Sequence, residues 1–171
     1  MEKKITRLAV FDFDGTIADT PLPTTENKAL YEQKTGTKWP HKGWWSRPET
    51  LDQAIFDIPL ISSVIADYEM EKAREDTMVI LLTGRISRLS THVKTILESK
   101  GLTFDGHFFN SGGSTLDFKM YTVGRILKDY PSIKELHMWD DRLEHIPSFT
   151  AWGEKLKGID FKITVVEGSH Y

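Results

Sequence analysis

The sequence predicts an α/β fold, a doubly wound parallel sheet with helices on both faces and a small insertion after the first strand. Three observations carry that expectation. Short apolar runs alternate with helical patterns along most of the chain. Acidic residues follow two of those runs, at the carboxyl ends where open parallel sheets bind ligands. One early stretch, rich in proline and tryptophan, breaks the alternation.

Residues 5–12 (ITRLAVFD) are apolar and β-branched up to an acidic cluster, the pattern of a buried parallel strand. Residues 20–60 contain Pro21, Pro23, Pro40, Pro48 and Pro59 with Trp39, Trp44 and Trp45. That is too long for an ordinary loop, and it reads as a cap-like insertion with one or two short helices covering the site. Residues 62–75 carry Val64, Ile65, Tyr68 and Ala73 at helical spacing, and 78–82 (MVILL) form a second strand. A helix over 86–100 aligns Ile86, Leu89, Val93, Ile96 and Leu97, with Gly101 as its stop. A weaker strand, 104–109, precedes a helix over 115–130 that aligns Met120, Val123, Leu127 and Tyr130 before Pro131. Residues 133–140 (IKELHMWD) form the fourth strand, and the alternating 160–166 (DFKITVV) a fifth near an edge.

The chain of 171 residues fits one domain, 1–171, with the 20–60 insertion inside it. With 39% hydrophobic and 27% charged residues it can bury a real core. A net charge of −3 argues against a general polyanion binder. The absence of cysteine excludes disulfides and thiolate metal sites. No apolar run approaches the roughly 20 residues that span a bilayer, and charges interrupt the short apolar run near the start. The expectation is a soluble, cytoplasmic protein without a membrane partner.

The strand ends deliver a particular set of groups. The first brings Asp12, Asp14, Gly15 and Thr16, the second Thr83, Gly84 and Arg85, and the fourth Asp140 and Asp141. Lys119 lies near the start of the helix after the third strand. Converging carboxylates, a hydroxyl and an ammonium suit phosphoryl transfer. Carboxylates alone would repel a phosphate, and a hard divalent cation, magnesium by preference, removes that repulsion. One carboxylate can attack phosphorus while a second transfers protons, and the hydroxyl and lysine hold the phosphoryl oxygens.

VFDFDGTIADT resembles the first motif of the haloacid dehalogenase (HAD) superfamily, VILLTGR the second, Lys119 the third and MWDD the acidic fourth, in the family's order. The resemblance covers about residues 5 to 145 and implies a Rossmann-like core with magnesium as cofactor. It implies Asp12 as nucleophile, and Asp14 as general acid and base whose main-chain carbonyl binds the metal. Thr83 and Lys119 grip the phosphoryl group, and Asp140 and Asp141 complete the metal site, either one directly. Dehalogenases of the superfamily lack an acid at the Asp14 position, so dehalogenation is disfavoured.

KWPHKGWWSRPETLD, LLTGR, FDGHFFNSGGSTLDFK and WDDRLEHIPSF look like a narrower branch, the HAD-like domain of Swiss-army-knife RNA repair proteins. That branch implies a phosphorylated partner: a nucleotide or a nucleic-acid end. Members usually carry fewer acidic residues in the first motif, and the complete DFDGT favours catalysis here. Gly84, Arg85, Trp44, Trp45 and Arg47 are the candidate substrate contacts. The adjacent tryptophans either form a small packing core or stack one ring on a base. Arg85 either helps bind substrate or pairs with the local acids. A non-catalytic module that captures a phosphorylated ligand, a sugar-phosphate phosphatase, and a scaffold with a vestigial site are the alternatives.

Overall fold

Five parallel strands form the centre of the computed structural model, which describes residues 4–167. They are β1 (Arg7–Phe11), β2 (Thr77–Ile86), β3 (Gly106–Asn110), β4 (Glu135–Asp140) and β5 (Asp160–Val165), in the spatial order β3-β2-β1-β4-β5. The helices are α1 (Thr25–Thr35), α2 (Ser62–Lys72), α3 (Ser90–Ser99), α4 (Thr115–Asp129) and α5 (Ile146–Glu154). This is the doubly wound α/β sheet expected, with β5 on an edge. No helix among the described residues is long and apolar enough to cross a membrane.

Strand pleating sends alternate side chains to opposite faces and so divides the core in two. Ala9, Phe11, Val79, Leu81 and Trp139 face a layer that includes Val64 and Tyr68 of α2 and Val93, Ile96 and Leu97 of α3. Leu8, Val10, Ile80, Leu82, Leu136 and Met138 face Val123 and Ile126 of α4 and Phe149 of α5. The 20–60 stretch contributes Tyr31, Trp44, Leu51, Phe56 and Ile58 to the first layer. It contains α1, capped by the Thr24 hydroxyl and ended by Gly36 in the left-handed region, and a short 3-10 turn at Pro48–Leu51.

β2 corrects the sequence reading. It continues past 82 through Thr83, Gly84 and Arg85 to Ile86, so the expected helix at 86–100 starts only at Ser90, after a 3-10 turn at Ser87–Leu89. Pairing with β3 is what extends it: Thr83 pairs with Phe109 and Ile86 with Asn110. The two residues between them break the register, as a β-bulge does.

A polar cluster at the start of β1 makes the fold sensitive to acid. Arg7 donates Nε and Nη2 to Glu71 at 2.8 and 2.6 Å. Its Nη2 also lies 3.2 Å from Nδ1 of His137, whose Nε2 is 2.7 Å from the Thr164 hydroxyl. Burial first, then the charges of Arg7 and Lys162, push the His137 pKa from 6.5 to about 4, against the opposing pull of Glu71 and Asp67. The unfolded chain therefore takes up this proton before the native one does. Stability should fall as pH drops from about 6.5 to 4, by roughly 2 to 3 kcal/mol from this residue. Urea unfolding across that range checks this: His137→Gln should flatten the slope, and an unchanged slope would remove the histidine from the account.

Candidate active site

The chain leaves β1 toward β2 on one side, and β4 pairs on the other side of β1. The carboxyl ends of β1 and β4 therefore flank the point where the winding reverses, the place such sheets open a crevice. Here the crevice has a volume of about 430 Å3, and Asp12, Asp14, Lys119 and Asp141 are among its lining residues.

The DFDGT turn is tightly wound. The Phe13 carbonyl accepts the amides of Ile17 and Ala18 at 3.1 and 3.0 Å, and the Gly15 amide donates to the Ala18 carbonyl at 2.8 Å. Gly15 has φ 71°, a left-handed conformation that a β-carbon would disfavour. Phe13 and Ile17 are fully buried and anchor the turn, while the acids between and before them face the crevice. Register brings the partner strand's acid alongside: Phe11 pairs with Trp139, and the Asp12 amide donates to the Trp139 carbonyl at 3.1 Å.

Lys119 enters from the first turns of α4, whose start is capped by Ser114. A β-carbon on Gly84 would come within 2.7 Å of the Thr115 side chain, so glycine is what allows β2 and the start of α4 to meet. The buried Lys119 ammonium donates to Asp12 Oδ1 at 3.0 Å and to Asp140 Oδ2 at 2.7 Å. Asp140 Oδ1 accepts the Arg142 amide at 3.0 Å. The Thr16 hydroxyl makes longer contacts of 3.4 and 3.5 Å to Asp12 and Asp141.

The electrostatics follow from burial. Desolvation, opposed by Lys119 and reinforced by Asp140 and Asp141, pushes Asp12 well above the usual carboxylate range. Asp141 is also raised, first by burial. Burial would lower Lys119, but the charges of Asp12 and Asp140 outweigh it and hold its pKa above the ordinary value. Oxygens of Asp12, Asp140 and Asp141 lie within 4.8 Å of one another. Ionising all three carboxylates would place more negative charge in this buried site than the Lys119 ammonium offsets, in keeping with the raised Asp12 and Asp141. A divalent cation with oxygen ligands fits that donor set and that deficit.

Asp14 is held differently. Arg85 Nε donates to its two oxygens at 3.2 and 3.0 Å, Arg85 Nη2 to Oδ1 at 2.7 Å, and the Thr20 hydroxyl to Oδ1 at 2.7 Å. Burial would raise Asp14, but the Arg85 charge and hydrogen bonds, with that of Thr20, hold it below the ordinary value. Thr83 is fully buried, and its hydroxyl accepts the Arg85 amide at 3.0 Å while keeping its proton to donate.

The candidate substrate contacts separate. Gly84 and Trp45 line the crevice, and Trp45 is 41% exposed. Trp44 is corrected to a packing residue: it is buried against Trp39 and Phe56, and its indole N–H donates to the Pro21 carbonyl at 2.8 Å. Arg47 is likewise not among the crevice's lining residues, and its Nε is buried with no hydrogen-bond partner among the described residues. Arg85 lines the crevice, but its guanidinium is committed to Asp14, so of the two roles left open for it the pairing with a local acid is the one seen. Thr20 and Thr115 also line the crevice without any signal in the spacing of the chain.

Residues 20–170 match the family model of HAD domain family 1 in Swiss Army Knife RNA repair proteins. The chain belongs to this family. The DFDGT turn stands just before the matched residues. An uncharacterized Saccharomyces cerevisiae protein, YMR265C, is 31% identical over 178 residues, which cover 91% of this chain and 38% of that protein. The chain thus spans well under half the length of that relative. A solved chain of a Pnkp1/Rnl/Hen1 complex aligns with a TM-score of 0.61 at 14% identity, over 100% of this chain and 49% of that one. The archaeal β-phosphoglucomutase of Pyrococcus sp. strain ST 04 aligns at 0.54 and 14% identity, over 92% of each chain. At such identity the likeness is one of fold, the HAD Rossmann-like fold.

The charge deficit at the crevice floor makes a direct prediction. Magnesium should raise the melting temperature, by an increment worth about 2.7 kcal/mol at a hundredfold excess over its dissociation constant. Chelator should reverse the shift, and Asp141→Asn should shrink it. A melting temperature indifferent to divalent cations would rule out a metal among these three acids.

Proposed function

We propose that this chain is a magnesium-dependent phosphohydrolase working through an aspartyl-phosphate on Asp12, with a nucleotide or a phosphorylated nucleic-acid end as substrate. The observation that carries the reading is the cluster itself. A nucleophile candidate, a lysine, the Asp141 carboxylate and a separately held second acid line one crevice at the reversal point of the sheet, and the buried Asp140 is paired with that lysine.

Asp12 attacks the phosphorus in line, and Asp14 delivers a proton to the leaving oxygen. Asp14 then takes a proton from the water that hydrolyses the aspartyl-phosphate. Lys119 and the Thr83 hydroxyl hold non-bridging oxygens as charge develops on them. Asp12, Asp140, Asp141 and the Asp14 main-chain carbonyl would hold the metal, which when bound would supply charge neutralisation for nucleophile and phosphate. Arg85 favours the ionised form of Asp14, which suits the second step. A phosphate dianion beside Asp14 opposes that preference and suits the first.

Two observations support the substrate class. The exposed Trp45 ring lines the crevice and offers a surface on which a base can stack. The family to which the chain belongs takes its description from RNA repair proteins. The grip of Arg85 on Asp14 favours a second reading, a module that captures a phosphorylated ligand without turnover.

The test is phosphate release with magnesium from nucleoside 3′- and 5′-monophosphates, 3′- and 5′-phosphorylated DNA and RNA oligomers, and sugar phosphates. Asp12→Asn should lower release by about a thousandfold or more while the melting profile stays cooperative. Activity that survives this substitution in a clean preparation removes Asp12 as nucleophile. Tight magnesium-dependent binding with no release from any member favours the capture reading.

A further inference from the structure

Arg85 touches more of this site than any role in binding phosphate would require. Its side chain is only 1% exposed. One N–H at Nε and one at Nη2 hold Asp14, and Nη1 turns away to donate to the Trp45 carbonyl and the Thr50 hydroxyl, both at 2.7 Å. Four of about five guanidinium donors are thereby used inside the protein. The fully buried Thr50 hydroxyl is itself fixed, donating to the Arg47 carbonyl at 2.7 Å. The Trp45 ring lies against the guanidinium, with 5.1 Å from its centroid to Cζ. All the contacts on that side belong to the 20–60 stretch, and the Thr20 hydroxyl that also holds Asp14 stands at its start.

We infer that Arg85 is a positioning residue that sets the Asp14 carboxylate and ties that setting to the 20–60 stretch through Thr50 and Trp45. The inference rests on the reading of Asp14 as the proton-transfer group. The bidentate grip fixes where the acid points. The opposite side of the same planar group is seated on the stretch that carries the exposed Trp45 ring. A ligand that displaces Trp45 therefore moves the seat of Arg85, and Asp14 moves with it. Occupation of the crevice and placement of the acid become one event, with no further element needed.

The experiment compares two substrates in the full chain with magnesium. p-Nitrophenyl phosphate has a leaving group that needs little protonation, and a simple alkyl phosphate has one that needs it. The readout is kcat/KM, which reports the steps through the first chemical one. Arg85→Ala should cost about tenfold or more on the alkyl phosphate and under about threefold on p-nitrophenyl phosphate. Arg85→Lys should not restore the alkyl rate, because one ammonium cannot span carboxylate, hydroxyl and carbonyl. Thr50→Val should show the same bias at smaller size. In an Asp14→Asn background, Arg85→Ala should change little, under about twofold. Equal losses on both substrates, or losses that add fully to those of Asp14→Asn, would overturn the inference and make Arg85 a phosphate ligand.

Amide hydrogen exchange tests the tie without turnover. Arg85→Ala should speed exchange at residues 44–52 and 14–20 while β1 and β4 stay protected, and unchanged exchange there would overturn the tie. Should Arg85→Ala fail to fold, Thr50→Val carries both arms. A wild-type protein that hydrolyses neither compound leaves the phosphatase reading to the wider substrate panel, and the exchange arm then decides on Arg85.

Discussion

The Lys119 ammonium, wedged between Asp12 and Asp140, is the interaction on which the arrangement of the crevice depends. Parallel pairing of β1 and β4 forces two carboxylates to the same end of adjacent strands, and Asp141 adds a third. Charges out of water cost several kcal/mol each, and their attraction to one lysine returns only part of it. Well-packed apolar residues at these positions would hold the sheet at least as well. The cluster is therefore not what stabilises the fold. The two apolar layers do that, and the cluster is a cost they carry at the one point where the sheet opens.

The second acid is held by a different ion pair. Asp14 stands two residues from Asp12, yet its ion pair is with Arg85 on β2, and Lys119 on α4 is a lesser contributor. The environments of the two acids push them in opposite directions, Asp12 up and Asp14 down. Two like groups held apart in this way are a frequent basis for division of labour in acid–base chemistry.

The 20–60 stretch is not a detached lid. Its tryptophan and phenylalanine side chains join the apolar layer that supports one face of the sheet. Trp44 and Trp45 show how one stretch serves both packing and the crevice. One ring is buried with its N–H satisfied, and its neighbour stands at the opening against a guanidinium. The fold shared with an RNA repair chain and with a phosphoglucomutase says nothing of which substrate fits. That rests on the groups around this crevice.

The sequence by itself determined the strands, the helices of the sheet, and the acids at the ends of β1 and β4. These rest on local patterns: a run of apolar residues, a helical spacing, an Asp-Gly turn. It also carried Lys119 to the right place, since a helix after the third strand must start at the same end of the sheet. Only the tertiary structure decided the rest. Thr83 to Ile86 read as a strand-to-helix turn but remain in the strand, because β3 pairs with them across a register break. Trp44 and Trp45 are equivalent in the sequence, and only the direction of the backbone tells them apart. Arg85 finds Asp14 across 71 positions and Thr50 across 35. Local propensity reaches about one helical turn along the chain, so contacts at those separations exist only once the sheet has assembled.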